Sequence, residues 1–289
     1  MLLTAGADFA VTILPADLPP DDANTTAAVS PVRTLRGHTR SISAMGMISR
    51  GRNVLSCAKD GTVRLWDVSN ARQLHLLVAG KGKYTPVMSM TVGQRVADTQ
   101  VNGLSMANDA ESHGTASVQD GEVDTSDKVV FCALGDGTFE GFDLRTKASF
   151  FQSEAAVHVT ESRAALKSIV YSSSRRLLAT GSVQGTVTLF DVRSLSQPLT
   201  SFYRNSASIE DLAFWSPSAA GDFMTSSGTG LIVATEDGLP YIADVSPRGA
   251  KVRAEIVGGD CDAVRVVRMD EKGSIWTASD DGVVRKYSA

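Results

Sequence analysis

The chain has 289 residues, of which 43% are hydrophobic and 21% are charged, a composition typical of a soluble globular protein with a substantial core. Its formal net charge of −4 argues against nucleic acid as the main partner, because phosphate binding needs clustered Lys and Arg. No basic segment followed by a long apolar run opens the chain, so neither export nor membrane insertion is predicted. We expect a cytoplasmic or nuclear protein, or one found in both compartments.

One short phrase recurs along the chain: an apolar run, a turn built on glycine, and a run with alternating polarity. Five copies are CAKDGTVRLWDV (57–68), LGDGTFEGFDL (134–144), SVQGTVTLFDV (182–192), TEDGLPYIADV (235–245) and SDDGVVRKY (279–287). LLTAGADFAVTIL (2–14) is a sixth copy, in which Phe9 holds the position of the turn glycine. Each copy predicts a β-hairpin, because alternation with period 2 marks a strand with one buried face and glycine accepts positive φ.

The predicted strands follow in chain order. In the first copy they run from Leu2 to Ala5, from Ala10 to Leu14 and near Val32 to Arg36, with no innermost strand before Leu2. In the second copy they run from Ser41 to Met45, Val54 to Ala58, Thr62 to Trp66 and Gln73 to Val78. The third copy has a first strand near Tyr84 to Val92 and a second near Val129 to Ala133. The last copy stops at Ala289, immediately after its third strand.

The second copy also carries a polar signature. Gly37-His38 precedes Trp66-Asp67 by a typical repeat length, and Ser56 and Asp60 lie between them. In this respect the chain resembles WD-repeat proteins, which are all-β propellers. That resemblance implies a hydrogen-bonded network of His38, Ser56, Asp60 and Trp66 that locks the strands of one blade together. The alternative, a catalytic Ser-His-Asp triad, is not favoured, because a buried polar network must be satisfied internally and a triad is recognised by geometry.

The repeats predict one WD-repeat β-propeller over residues 1–289, incomplete, with about six blade signatures. The predicted blades are 1–36 (partial), 37–80, 81–153, 163–204, 205–257 and 258–289 (partial). The third blade contains a predicted disordered insert, 93–128, which is rich in Ser, Thr, Gly, Asp and Glu. It can be a phosphorylated regulatory loop or a neutral insertion.

Both ends of the chain are expected to cut through blades. A propeller closes when one terminus supplies the outer strand that the other lacks. We therefore expect a fragment of a seven-bladed ring, with Met1 standing where an upstream segment has been lost through a wrong start site, a gene-model error or a natural short isoform.

No enzyme chemistry is predicted, and neither a catalytic residue, a cofactor site nor a metal site is assigned. Gly-rich phosphate loops, His-x-x-x-His pairs and Gly-x-Ser-x-Gly elbows are absent from the sequence. His75, His113 and His158 lack partners nearby in the sequence and are interpreted as surface, strand or insert residues. The cysteines Cys57, Cys132 and Cys261 lie far apart, and the first two are expected to pack as small hydrophobes.

Negative charge is concentrated late in the chain. Residues 205–247 contain no Lys, Arg or His. The candidate partner-binding residues are Glu210, Asp211, Asp222, Glu236, Asp237, Asp260, Asp262, Asp280 and Asp281. Such a run can be a solvated face, or it can be a docking surface for a basic partner, since an uncompensated patch speeds encounter with an opposite charge.

Two stretches carry a more specific resemblance. SRGRNVLSCAKDGTVRLWDV (49–68) and GGDCDAVRVVRMDEKGSIWTASDDGVVRKY (258–287) are similar to the proteasomal ATPase-associated factor family, WD-repeat assembly chaperones of the proteasome regulatory particle. The resemblance implies a non-enzymatic protein that binds the C-terminal domains of proteasomal ATPase subunits through acidic propeller surfaces. We expect the chain to be monomeric by itself. The alternative is another WD-repeat scaffold, such as a ubiquitin-ligase substrate receptor or a ribosome-assembly factor.

Overall fold

The computed structural model describes residues 1–16, 29–96, 100–101, 104–105, 121–154, 164–215, 229–246, 248–258 and 262–288. Within these residues the chain is all β, apart from a one-turn 3-10 helix at Ser49–Gly51. No helix in the described ranges is long and apolar enough to cross a membrane.

Six antiparallel sheets follow one another along the described chain, and each is one blade of a β-propeller. Sheet 1 contains β1 (Leu2–Ala5), β2 (Ala10–Leu14) and β3 (Arg33–Arg36). Sheet 2 contains β4 (Ile42–Ile48), β5 (Asn53–Ala58), β6 (Thr62–Asp67) and β7 (Arg72–Val78). Sheet 3 contains β8 (Val87–Gln94), β11 (Lys128–Leu134), β12 (Phe139–Asp143) and β13 (Ala148–Gln152).

The remaining sheets repeat this order. Sheet 4 contains β14 (Leu166–Ser172), β15 (Leu177–Ser182), β16 (Thr186–Asp191) and β17 (Thr200–Tyr203). Sheet 5 contains β18 (Ile209–Trp215), β19 (Thr229–Thr235), β20 (Tyr241–Ser246) and β21 (Gly249–Glu255). Sheet 6 contains β22 (Val264–Met269), β23 (Ile275–Ser279) and β24 (Val284–Tyr287). A two-residue hairpin of β9 (Gln100–Val101) and β10 (Leu104–Ser105) lies between β8 and β11.

The predicted fold class is confirmed, and the strands of sheet 1 lie where the alternation placed them. The described residues give sheets 1 and 6 three strands each, in agreement with the strand count made from the repeats. The turn glycines have positive φ, for example +77° at Gly61, and Phe9 adopts φ 63° in the equivalent turn. Phe9 therefore takes a backbone conformation that costs a residue with a side chain about 1–3 kcal/mol.

The core lies between adjacent sheets. Separate clusters of buried apolar side chains join sheets 1 and 2, 2 and 3, 3 and 4, 4 and 5, and 5 and 6. Cys57 and Cys132 are fully buried between sheets 2 and 3, as small hydrophobes would be, and burial raises the pKa of the Cys57 thiol to about 12. The innermost strands β4, β8, β14, β18 and β22 line a central channel with a volume of about 790 Å³.

The prediction of a disordered insert over residues 93–128 is wrong at both ends of that range. Gly93 and Gln94 belong to β8, Lys128 begins β11, and residues 121–127, which we call the return segment, pack against sheets 2 and 3. The β9–β10 hairpin also falls inside the predicted insert. Residues 97–99, 102–103 and 106–120, including His113, lie outside the described residues.

Candidate partner-binding surface

The four residues of the predicted network lie together in sheet 2. The Nδ1 of His38 lies 2.9 Å from Asp60 Oδ2, and its Nε2 lies 2.8 Å from Ser56 Oγ. The Trp66 indole donates to the same Ser56 Oγ at 2.8 Å. A His38 that is protonated on Nδ1 satisfies every contact: it donates to Asp60 and accepts from the Ser56 hydroxyl.

This arrangement holds strands together and does not suit catalysis. Ser56 is fully buried, Trp66 is 2% exposed and His38 is 6% exposed, so no substrate can reach the hydroxyl. Burial lowers the pKa of His38, although Asp60 opposes that shift, and the lowered pKa favours the neutral imidazole. Burial alone would raise the pKa of Asp60, but hydrogen bonds, chiefly from Thr62 and the Thr39 amide, lower it.

Sheet 4 shows what happens when this signature is lost. The strand register places Thr180 where sheet 2 has Ser56, and Phe190 where it has Trp66. Phenylalanine has no indole N–H to donate a hydrogen bond, and it fills less space than tryptophan. A cavity of about 230 Å³ lies beside Phe190 and Thr180. The Oγ1 of Thr186, which lines this cavity, has no hydrogen-bond partner among the described residues.

A second ionic cluster was missed by the sequence analysis. The carboxylate of Glu122, in the return segment, has a fully buried side chain and lies 2.9 Å from His75 Nε2 on β7. It also pairs with Lys147, in the β12–β13 turn, and accepts a hydrogen bond from Thr125. His75, which lacks a partner nearby in the sequence, has one 47 residues further along the chain. Burial opposes ionisation of Glu122, but the bonds from Lys147, Thr125 and His75 lower its pKa.

The acidic candidates at the start of β18 are paired, and the side chain of Glu210 is buried. The Glu210 side chain is 4% exposed, and its Oε2 lies 3.2 Å from Lys167 Nζ and 2.9 Å from Arg265 Nη1. The guanidinium of Arg265 reaches on to Asp280 at 2.6 Å. One ionic chain therefore joins sheets 4, 5 and 6 beside the central channel.

Asp211 joins sheet 5 to sheet 6 in a similar way. Its Oδ2 accepts a hydrogen bond from the Val267 amide at 3.0 Å and pairs with Arg268. Burial raises the pKa of Asp211, and Arg268 and the backbone amides offset part of that rise. Asp211 thus stabilises the contact between two blades.

The turn aspartates are also engaged within the chain. Asp281 pairs with Arg285, whose hydrogen bond is the main reason that the pKa of Asp281 falls to about 2. Asp237 accepts from the Asn205 side chain at 2.7 Å and from the Leu239 amide at 3.1 Å. Glu210 and Asp211, which lie in the cation-free stretch 205–247, are compensated by basic side chains of neighbouring sheets.

Two acidic candidates are exposed without an ion pair to the described residues: Glu236, in the β19–β20 turn, and Asp262, in the β21–β22 connection. Both lie on one end of the propeller, which we call the upper face. It holds the turns between second and third strands and the connections between sheets, because antiparallel strands bring these segments to the same end. Asp222 and Asp260 lie outside the described residues. The binding role of all nine acidic candidates stays a prediction.

Among the described residues, no group of three or more His, Cys, Asp or Glu side chains is arranged to hold a metal ion. His158 and Cys261 lie outside those residues.

Comparison with known proteins agrees with this geometry. Residues 70–284 match the family described as Nucleolar protein 10-like, N-terminal domain, and residues 29–67 match the WD domain, G-beta repeat. Proteasomal ATPase-associated factor 1 of Gallus gallus is 32% identical over 191 residues, which cover 65% of this chain and 43% of that protein. The Homo sapiens protein of the same name is 32% identical over 111 residues, 38% of this chain and 24% of that protein.

The chain is a WD-repeat β-propeller, because it has six blades, the polar network of sheet 2 and a match to the WD domain. Within that class, the chain belongs to the family of the Nucleolar protein 10-like N-terminal domain. The predicted resemblance to the proteasomal ATPase-associated factor family is confirmed by the two relatives of that name. The matched regions span less than half of the length of either relative.

Proposed function

We propose that the chain is a non-enzymatic scaffold that binds proteasomal ATPase subunits, through their C-terminal domains, during assembly of the regulatory particle base. The observation that carries this proposal is the 32% identity to two relatives named for their association with a proteasomal ATPase. The buried state of Ser56, His38 and Asp60 supports a binding role, because the most triad-like residues of the chain are closed to substrates.

The upper face around Glu236 and Asp262 is the proposed contact surface. Both side chains are exposed and carry no ion pair among the described residues, so their charge is available to a basic partner. Glu210 and Asp211 are poor positions for a test, because reversing a buried, paired charge would damage the contacts between sheets.

Direct binding of the purified chain to purified ATPase C-terminal domains tests this surface. Glu236→Lys and Asp262→Lys should each slow association several-fold at low salt, and the difference should shrink as salt screens the charge. Glu271→Lys is the matched control, since Glu271 is an exposed residue of the β22–β23 turn, at the opposite end of the propeller. Equal association rates for the three variants would show that the upper face is not the contact surface. Absence of binding by the folded wild-type chain would overturn the proposed function.

The family match favours a second candidate, a scaffold that acts in the nucleolus, for example in ribosome assembly. It rests on the description of the matched family as Nucleolar protein 10-like. Imaging of the tagged chain in cells separates the two candidates: concentration in nucleoli supports the second, whereas a cytoplasmic or diffuse nuclear signal supports the first.

A further inference from the structure

Residues 31–95, which include all of sheet 2, are strongly basic. They contain eleven Lys and Arg residues and two acidic residues, Asp60 and Asp67, so their formal net charge is +9 in a chain of net charge −4. The Asp60 side chain is 5% exposed and is turned into the His38 network. Asp67 is buried, and its carboxylate accepts hydrogen bonds within the β6–β7 turn. The exposed cations of this region are therefore not compensated by its own carboxylates.

Four of these cations lie on the upper face, in three loops that contact one another. The Lys59 amide, in the β5–β6 turn, donates to the Ser41 carbonyl at 3.0 Å, and the Ala79 amide donates to the Gly61 carbonyl at 2.9 Å. All four side chains belong to exposed residues, and none forms an ion pair with the described residues. We call them the basic patch: Arg40, Lys59, Lys81 and Lys83.

The connection between sheets 2 and 3, which carries two of these lysines, is held firmly. Its Gly80 amide donates to the fully buried Glu140 carboxylate at 2.7 Å. Its Tyr84 backbone packs so closely on Gly61 that a Cβ there would overlap it. Lys81 and Tyr84 have φ values of 53° and 56°, a conformation that costs about 1–3 kcal/mol and persists only where the surrounding structure fixes it. The loop therefore presents its lysines from a fixed backbone, beside a tyrosine that is 58% exposed.

We propose that the basic patch docks a short acidic segment of another protein. Carboxylates of that segment pair with the lysines, and an apolar side chain packs on Tyr84, so that charge complementarity steers the encounter and the aromatic ring adds contact area. This inference goes beyond the proposed function, because it concerns the opposite charge on different sheets and needs no proteasomal ATPase.

The distribution of charge favours an acidic protein segment over a nucleic acid. Outside residues 31–95 the chain has a formal net charge of −13, and the upper face of sheets 5 and 6 exposes Glu236 and Asp262. A long polyanion that crossed this face would meet like charge, whereas a short segment can stay on sheets 2 and 3.

Fluorescence anisotropy with labelled probes and the full chain, at physiological salt, tests the proposal. The first probe is a short peptide of glutamates and glycines with one central leucine. A matched peptide replaces every glutamate with glutamine, and a single-stranded oligonucleotide of equal charge is the third probe. Sedimentation of the chain alone, over a range of concentrations, tests whether a second copy occupies the patch.

The glutamate peptide should bind in a saturable way with a Kd below about 1 mM, and the glutamine peptide should not. Lys59→Glu and Lys83→Glu should each weaken binding several-fold, and added salt should reduce the difference. Lys272→Glu is the matched control, since Lys272 is exposed in the β22–β23 turn, at the opposite end of the propeller, and it should bind as the wild type does.

Four results would overturn the proposal. They are the absence of peptide binding below about 1 mM, an equal loss of binding in Lys272→Glu, tighter binding of the oligonucleotide than of the glutamate peptide, and self-association of the chain that Lys83→Glu abolishes.

Discussion

Ser56 is the residue on which the polar network of sheet 2 depends. Its hydroxyl contacts both the Trp66 indole and the His38 imidazole, and all three side chains are buried. Removal of that one oxygen leaves two polar nitrogens without a partner, and an unsatisfied buried group costs its full desolvation free energy.

Ser56→Ala should therefore lower the free energy of unfolding by about 1–3 kcal/mol, measured by urea denaturation. Ser201→Ala is the control, because the Ser201 hydroxyl bonds Thr188 at an exposed site and its loss should cost no more than about 0.5 kcal/mol. Equal urea-denaturation midpoints for the two variants would show that the polar network does not stabilise sheet 2.

The protonation of His38 predicts a loss of stability in mild acid. Burial holds the folded-state pKa below the ordinary value of 6.5, so between these two pKa values the unfolded chain binds the extra proton. The free energy of unfolding should therefore fall as the pH drops below about 6.5. His38→Asn should flatten this dependence between pH 7 and about pH 5, and an unchanged slope in the variant would contradict the assignment. The lowered pKa of Asp60 has a separate effect. The free energy of unfolding should fall further as the pH drops below 3.8, the ordinary pKa of this carboxyl group.

At the scale of elements, the return segment depends on Glu122. The carboxylate is wholly buried against His75 and Lys147, and the Asn53 side chain bonds the backbone on either side of it, at Gly121 and Val123. Loss of one partner from a buried ion pair leaves the other charge uncompensated.

Glu122→Gln should weaken this docking by about 3 kcal/mol, the lower end for a buried pair, because Lys147 and His75 keep some contact with water. Amide exchange across 121–127 should then accelerate about 100-fold by mass spectrometry, since about 1.4 kcal/mol corresponds to a factor of ten. Glu271→Gln, at an exposed turn, should leave that exchange as it is. An unchanged rate in Glu122→Gln would mean that the ionic cluster does not anchor the segment.

Strands were predictable and ionic partners were not, for a physical reason. Alternation and turn glycines act over a few residues, so they placed Leu2–Ala5 and Ala10–Leu14 where the structure has them. The pairs of Glu122 with His75 and of Asp211 with Arg268 join residues 47 and 57 positions apart, and no local pattern records them. The hydrogen-bonded network of His38 could be predicted only because the resemblance to WD-repeat proteins indicated which residues are its partners.

At the scale of the whole molecule, the blades are joined by more than apolar packing. The chain of Lys167, Glu210, Arg265 and Asp280 crosses three sheets beside the channel, and Asp211 adds a bond from sheet 5 to sheet 6. These carboxylates fix one blade against the next. The acidic residues therefore differ in their surroundings: Glu210 and Asp211 pair with cations of neighbouring sheets, whereas Glu236 and Asp262 are exposed without an ion pair to the described residues.

The most direct test of the scaffold account is affinity capture from a native cell extract with the tagged chain, followed by mass spectrometry of the proteins that co-purify. We expect proteasomal ATPase subunits among them, with less recovery for Glu236→Lys and unchanged recovery for Glu271→Lys. Capture of nucleolar proteins in place of ATPase subunits, or of neither group by a chain shown to be folded, would contradict it.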